Sequence, residues 1–135
     1  MDGAALLGQL LSEQCDDLRR EGFQIQSPVF DRDFDLYLRT EDAVRVFDNL
    51  FSNLRKYADA AAPVLISWQD GPETVTLRVE NQAKAAPDQG DSHGLGVPTM
   101  KELMERSGGT LETSREDGVY RSALIFRKRR GCGAV

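Results

Sequence analysis

Cysteine is scarce in this chain: two residues in 135, Cys15 and Cys132, stand near opposite ends. That excludes a disulfide framework and is the usage expected of a reducing compartment. Histidine is scarcer still. His93 is the only one, with no cysteine or second histidine close by in sequence to share a metal, so it reads as a polar loop residue. No apolar run approaches the roughly 18 residues that a membrane span requires, and Asp2 does not suit a signal peptide. Positive charge is in deficit, 17 basic against 22 acidic side chains for a net −5, which disfavours nucleic acid and anionic lipid as partners. The run Arg127-Lys128-Arg129-Arg130 is a local exception, read as a solvated strand end, with a polyanion patch as the other possibility. There are no repeats and no low-complexity linker. The expectation is one soluble, cytoplasmic domain over residues 1–130, followed by a flexible tail over 131–135.

What the chain does contain is a globular balance, 40% hydrophobic and 29% charged, far from the disordered range. Leu7, Leu11, Cys15 and Leu18 form one stripe of a helix over 4–20, and Gly22 is its expected stop. Phe23 and Ile25, then Phe34, Leu36 and Leu38, alternate with polar residues as two short strand candidates. Thr40-Glu41-Asp42 reads as a helix start, a capping hydroxyl with acids in the first turn, for a helix reaching Ala58. Strands over 64–68 and 75–79 flank a turn at Asp70-Gly71-Pro72, and residues 82–92 read as a mobile loop. A third helix over 97–107 ends at Gly108-Gly109. Strands over 110–114 and 119–127 close as a hairpin across Glu116-Asp117-Gly118. Hairpins separated by helices predict an α+β two-layer sandwich, with a mixed, mostly antiparallel sheet of about five strands packed on three helices.

Two features point to chemistry. In helix 41–58 the apolar arc holds Ala43, Val46, Phe47, Leu50, Phe51, Leu54 and Ala58. Asn49 and Asn53 fall about 40° apart on its border, with Lys56 and Tyr57 close by. A solvated polar face accounts for such a border in most helices. Asparagine is nevertheless a mediocre helix former, and two in successive turns ask for a reason. An amide oxygen is a hard neutral donor suited to Mg²⁺ that is completed by substrate phosphates, and a lysine one turn on suits phosphate oxygens. The second feature is Ser92-His93-Gly94-Leu95-Gly96-Val97, two glycines directly before a helix. Glycine admits close backbone approach, and a helix start offers free N–H groups. A tight helix entry explains it equally well, and P-loop and dinucleotide fingerprints are absent.

Together these segments resemble the catalytic ATP-binding domain of bacterial sensor histidine kinases, in the superfamily that includes gyrase. Residues 45–58, RVFDNLFSNLRKYA, resemble that family's N box; residues 75–81 take the place of the strand into its G1 box; 93–97, with Lys101 and Gly108-Gly109, resemble the G2 box and its helix. The resemblance implies a Bergerat-type ATP-binding fold with ATP and Mg²⁺ as ligands. Asn53 would be the Mg²⁺ ligand with Asn49 beside it. Lys56 would contact phosphate and Tyr57 the nucleoside, Asn81 would read the adenine amino group, and His93, Gly94, Leu95 and Gly96 would border the phosphates. The family's hydrolases and anti-sigma kinases carry glutamate at the position of Asn49. An amide cannot act as a base, so the reading favours transfer to histidine, whose neutral nitrogen needs none.

Asn81-Gln82-Ala83 replaces the family's Asp-x-Gly, and only 12 residues separate Asn81 from Gly94, none of them Phe. The expected lid is short and ATP affinity modest. The resemblance implies that a separate dimerisation and phosphoacceptor domain supplies the histidine, and that a response regulator receives the phosphate. This chain would start just after that domain, behave as a monomer and touch no membrane itself, whatever anchors its parent. Two alternatives stand beside this reading: a degenerate fold acting as a regulatory docking module, and an anti-sigma-type serine kinase.

Overall fold

A computed structural model describes residues 3–26, 28–30, 34–83 and 97–129. Three helices, α1 (Gly3–Arg20), α2 (Thr40–Tyr57) and α3 (Val97–Arg106), accompany four strands, β1 (Leu65–Asp70), β2 (Thr74–Gln82), β3 (Thr110–Glu116) and β4 (Val119–Arg127). The strands form one antiparallel sheet in the order β1-β2-β4-β3. This is the expected α+β architecture. The two early strand candidates enter it as isolated bridges, Ile25 to Val64 in parallel and Leu36 to Lys128 antiparallel. Their alternation is nonetheless real, since Phe23, Ile25, Phe34, Leu36 and Leu38 are all buried. They line the core from chain that pairs too briefly to build a ladder. The proposed tail, 131–135, and the loop beyond Ala83 lie outside the described residues.

The helices end by backbone chemistry already visible in the sequence. Gly22 takes φ +101°, its N–H reaches the Arg19 carbonyl at 3.1 Å, and the Phe23 N–H reaches that of Leu18 at 3.0 Å. Gly108 repeats the arrangement at φ +84°, with Gly109 N–H on the Met104 carbonyl at 2.9 Å. Both are glycine-terminated Schellman ends, and only glycine adopts these φ values without strain. The start of α2 differs from expectation. Arg39 occupies the cap, without a side-chain capping bond, and Thr40 is already helical. The first-turn acids Glu41 and Asp42 still complement the dipole. Asp42 is buried, and its carboxylate faces Arg106 of α3 at 3.5 Å.

One core joins both layers. Leu7, Leu11, Cys15 and Leu18 of α1 and the full predicted arc of α2 are buried, against the inward residues Val75, Leu77, Val79, Leu124 and Phe126 of the sheet. Phe47 meets Phe126 with ring centroids 6.4 Å apart. Burying a large side chain of this kind stabilises by about 2–3 kcal/mol. The core thereby fixes which border of α2 faces outward beside the sheet.

Candidate nucleotide site

Because the apolar arc of α2 is committed to the core, its polar border is set without further choice. Asn49 and Asn53 are each half-buried on that border, and Lys56 and Tyr57 are exposed one turn on. Neither asparagine amide makes a hydrogen bond to a described residue. Nor does Lys56 form an ion pair there, whereas its neighbour Arg55 is tied to Glu21 at 2.9 Å. Half-buried amides normally find partners. Two of them stand one turn apart on the same border, and amide oxygens are of the type that suits an oxygen-seeking cation.

The C-terminal end of α2 is joined to the sheet at one place. Ala58 leaves the helix in an extended conformation, its N–H on the Leu54 carbonyl at 2.9 Å, and forms a bridge with Ala83. Asp59 N–H then donates to the Gln82 carbonyl at 2.8 Å. The end of β2 is held on its other side by Ala83 N–H donating to the Gly118 carbonyl at 2.8 Å. Asn81 is therefore placed next to the last turn of α2. Its alternation with Leu77 and Val79 points it inward, and at 6% exposure it is one of the few buried polar residues. Its Nδ2 donates to the Gln82 carbonyl at 3.1 Å. That bond occupies the donor side of the amide and directs Oδ1 as the acceptor. An acceptor held in this way suits an amino group.

Asn49, Asn53, Lys56 and Tyr57 thus run along the second half of α2, and Asn81 lies beside the end of that helix. His93, Gly94, Leu95 and Gly96 lie outside the described residues, although α3 begins immediately after them at Val97. The sequence reading overlooked the cross-strand neighbours of Asn81. Tyr120 of β4 lies directly opposite it and Arg115 of β3 opposite Tyr120. Counting back from the Asp117-Gly118 turn gives the pair Arg115–Tyr120, whereas the pairing of Tyr120 with Asn81 is set by the β2–β4 register.

Among the described residues no cluster of three acidic, histidine or cysteine side chains could hold a metal ion by itself. The amide donors fit a different arrangement, a Mg²⁺ shared with phosphates and water. At the far end of α2 a shallow cleft of about 460 Å³ is lined by Tyr37, Arg39, Glu41 and Arg129 among others. It contains none of the predicted site residues. No described helix is long and apolar enough to cross a membrane.

No protein-family profile matches the chain. Individual proteins do. The sensor histidine kinase YrkQ of Bacillus subtilis (strain 168) is 30% identical over 117 residues, which is 87% of this chain and 27% of YrkQ. The chain thus spans about a quarter of that curated relative's length. Among solved structures, the Acinetobacter baumannii histidine kinase AdeS superposes with TM-score 0.72 at 16% identity, over 96% of this chain and 66% of that one. The nucleotide-free catalytic domain of histidine kinase ThkA gives TM-score 0.70 at 15% identity, over 95% and 94% of the two chains. The likeness to ThkA is one of fold and runs over nearly the whole of both chains. In sequence the chain is a homologue of sensor histidine kinases, and its fold is that of the ThkA catalytic domain.

Proposed function

We propose that this domain binds ATP with Mg²⁺ and presents the γ-phosphate to a histidine on a separate dimerisation and phosphoacceptor domain, from which a response regulator takes it. The observation that carries this reading is the pair of half-buried amides, Asn49 and Asn53, open on the border of a helix whose last turn adjoins the buried acceptor of Asn81. Asn53 would hold the metal with Asn49 beside it, Lys56 would meet phosphate, and Tyr57 would flank the nucleoside. Bound Mg²⁺ would neutralise charge on the phosphate oxygens. This chain's own part is to orient the triphosphate and to read the base.

Asn49 decides the direction of the chemistry. A carboxylate there could deprotonate water or a serine hydroxyl, and an amide cannot. A neutral imidazole brings its own lone pair, so the site suits histidine as acceptor and is poor at hydrolysis. The docking-module reading rests on Asn81-Gln82-Ala83, and the buried, oriented amide of Asn81 speaks against it.

The test is a calorimetric titration of ATP with and without Mg²⁺ on the wild type and on Asn53→Ala. Saturable binding that weakens at least tenfold on loss of either metal or Asn53 is expected. No heat at millimolar ATP would overturn the nucleotide reading in favour of the docking module. Phosphorylation of a serine partner, with no transfer to a histidine domain, would point to the anti-sigma alternative.

A further inference from the structure

We propose that the cleft at the start of α2 is a docking site for an acidic peptide segment of a partner protein, held by Arg39, Arg127 and Arg129 around the exposed ring of Tyr37. The inference concerns a surface apart from the nucleotide site and does not rest on the nucleotide reading. It starts from the basic run 127–130, which the structure divides. Lys128 is paired with Asp70 and donates to the Gly71 carbonyl at 2.7 Å, so its charge is neutralised within the fold. The arginines beside it are left exposed. Leu36 bridges Lys128 in antiparallel fashion, with Tyr37 N–H on the Arg127 carbonyl at 3.3 Å and Arg129 N–H on the Asp35 carbonyl at 2.8 Å. Leu36 and Leu38 are buried. Alternation therefore puts Tyr37 and Arg39 on the outer side, together with Arg127 and Arg129.

Arg127 lies over the Tyr37 ring, 5.6 Å from its centroid. Neither Arg39 nor Arg129 has an ion pair among the described residues. Two unpaired guanidinium groups and a half-exposed phenol thus border a concave volume of about 460 Å³, whose lining includes the buried Leu36 and Leu38. Guanidinium forks bind carboxylates in bidentate pairs, and a tyrosine ring gives contact area to the chain that carries them. Arginine clusters recognise acidic motifs in this way. Charge complementarity selects the partner. The chain carries −5 overall and repels anions in general, so an acidic segment is attracted to this corner in preference to the rest of the surface. A flat anionic membrane would meet the rest of the acidic molecule as well, and Glu41 stands on the rim, whereas a short segment enters the cleft alone. The site is also remote from the nucleotide border. Arg127 and Tyr120, the residue opposite Asn81, lie towards opposite ends of β4, about 23 Å apart at the rise of a strand. Both ligands can be held at once.

The experiment titrates end-capped hexaglutamate, with hexalysine as control, into the isotope-labelled chain and follows its amide resonances. Saturable binding of hexaglutamate is expected, with shifts concentrated in residues 35–41 and 127–129, and no binding of hexalysine there. Arg39→Gln/Arg129→Gln should weaken hexaglutamate by about tenfold or more. Tyr37→Ala should weaken it as well, and Tyr37→Phe should keep it. Arg20→Gln/Arg115→Gln removes the same charge elsewhere and should leave the affinity unchanged. All four arginines are exposed, so the variants fold, and melting curves check this. Equal loss in the two double variants overturns the proposal, because the attraction would then belong to net charge alone. Shifts that saturate outside the cleft residues overturn it too. Absence of saturation at millimolar hexaglutamate also overturns it, and binding to phosphatidylglycerol vesicles that needs Arg39 and Arg129 would then assign the corner to a lipid surface instead.

Discussion

At the residue scale, the most informative position is Asn81. Its neutral amide accepts through one oxygen and, among the described residues, is oriented by the bond of its Nδ2 to the Gln82 carbonyl. A carboxylate in its place would accept through either oxygen and with charge, and charge-assisted bonds are roughly twice as strong as neutral ones. Asn81→Asp is therefore expected to tighten ATP by about tenfold, and Asn81→Leu to abolish measurable binding without unfolding the domain. Titration of ATP into the two variants, beside their melting curves, checks both. Gly109 is decisive for stability instead. A Cβ added there would stand 2.2 Å from the Ile125 carbonyl oxygen, a backbone atom that cannot yield without breaking the β3–β4 ladder. Gly109→Ala should cost about 2 kcal/mol or more, seen as a fall in Tm of about 5 °C or more.

At the element scale, α2 has a buried face and a polar border, and the nucleotide reading proposed above gives the border a function that the packing of the buried face supports. Phe47, on the buried face, touches Phe126 of β4, and the border with Asn49 and Asn53 is held in place by that packing. Phe47→Ala is expected to destabilise by about 3–5 kcal/mol in denaturant titration. It should also weaken ATP at temperatures where the variant remains folded, because the amides lose their fixed direction. Asp117 and Gly118 take φ +52° and +78°, the two positive values of a type I′ turn. That turn sets the β3–β4 register, which puts Arg115 opposite Tyr120. Gly118→Val should strain it by about 1 kcal/mol or more, read as a lower Tm.

At the scale of the whole molecule, the helices and the sheet share a single buried core, so no layer can open alone without exposing the other. Trp68, the only tryptophan, sits at 4.8 Å from Phe30 and 6.0 Å from Phe34 by ring centroid. It reports on the sheet edge, while far-ultraviolet circular dichroism reports chiefly on the helices. The two signals should be lost at the same denaturant concentration, as a two-state domain requires. Separate midpoints would show that the sheet edge around Trp68 unfolds independently of the helices. The ion pair of Lys128 with Asp70, one-fifth exposed on each side, fastens the end of β4 to the β1–β2 turn. It lies at the end of the sheet away from Asn81, so its function is structural.

The sequence by itself determined the helices, their glycine ends, the buried arc of α2 and the alternation of the strands. These are local matters, set by side-chain period and by the φ values that only glycine tolerates. The same periodicity displayed Asn49, Asn53 and Lys56 on one border, because residues four apart on a helix must share a face. Only the tertiary structure decided what stands opposite what. The register that pairs Asn81 with Tyr120, the bridge of Ala58 to Ala83, and the burial of Asp42 against Arg106 join residues up to 64 positions apart. The early strand candidates became single bridges for the same reason. Alternation specifies a buried face, whereas a ladder also needs a partner strand, and the partner is chosen by the packing of the whole chain.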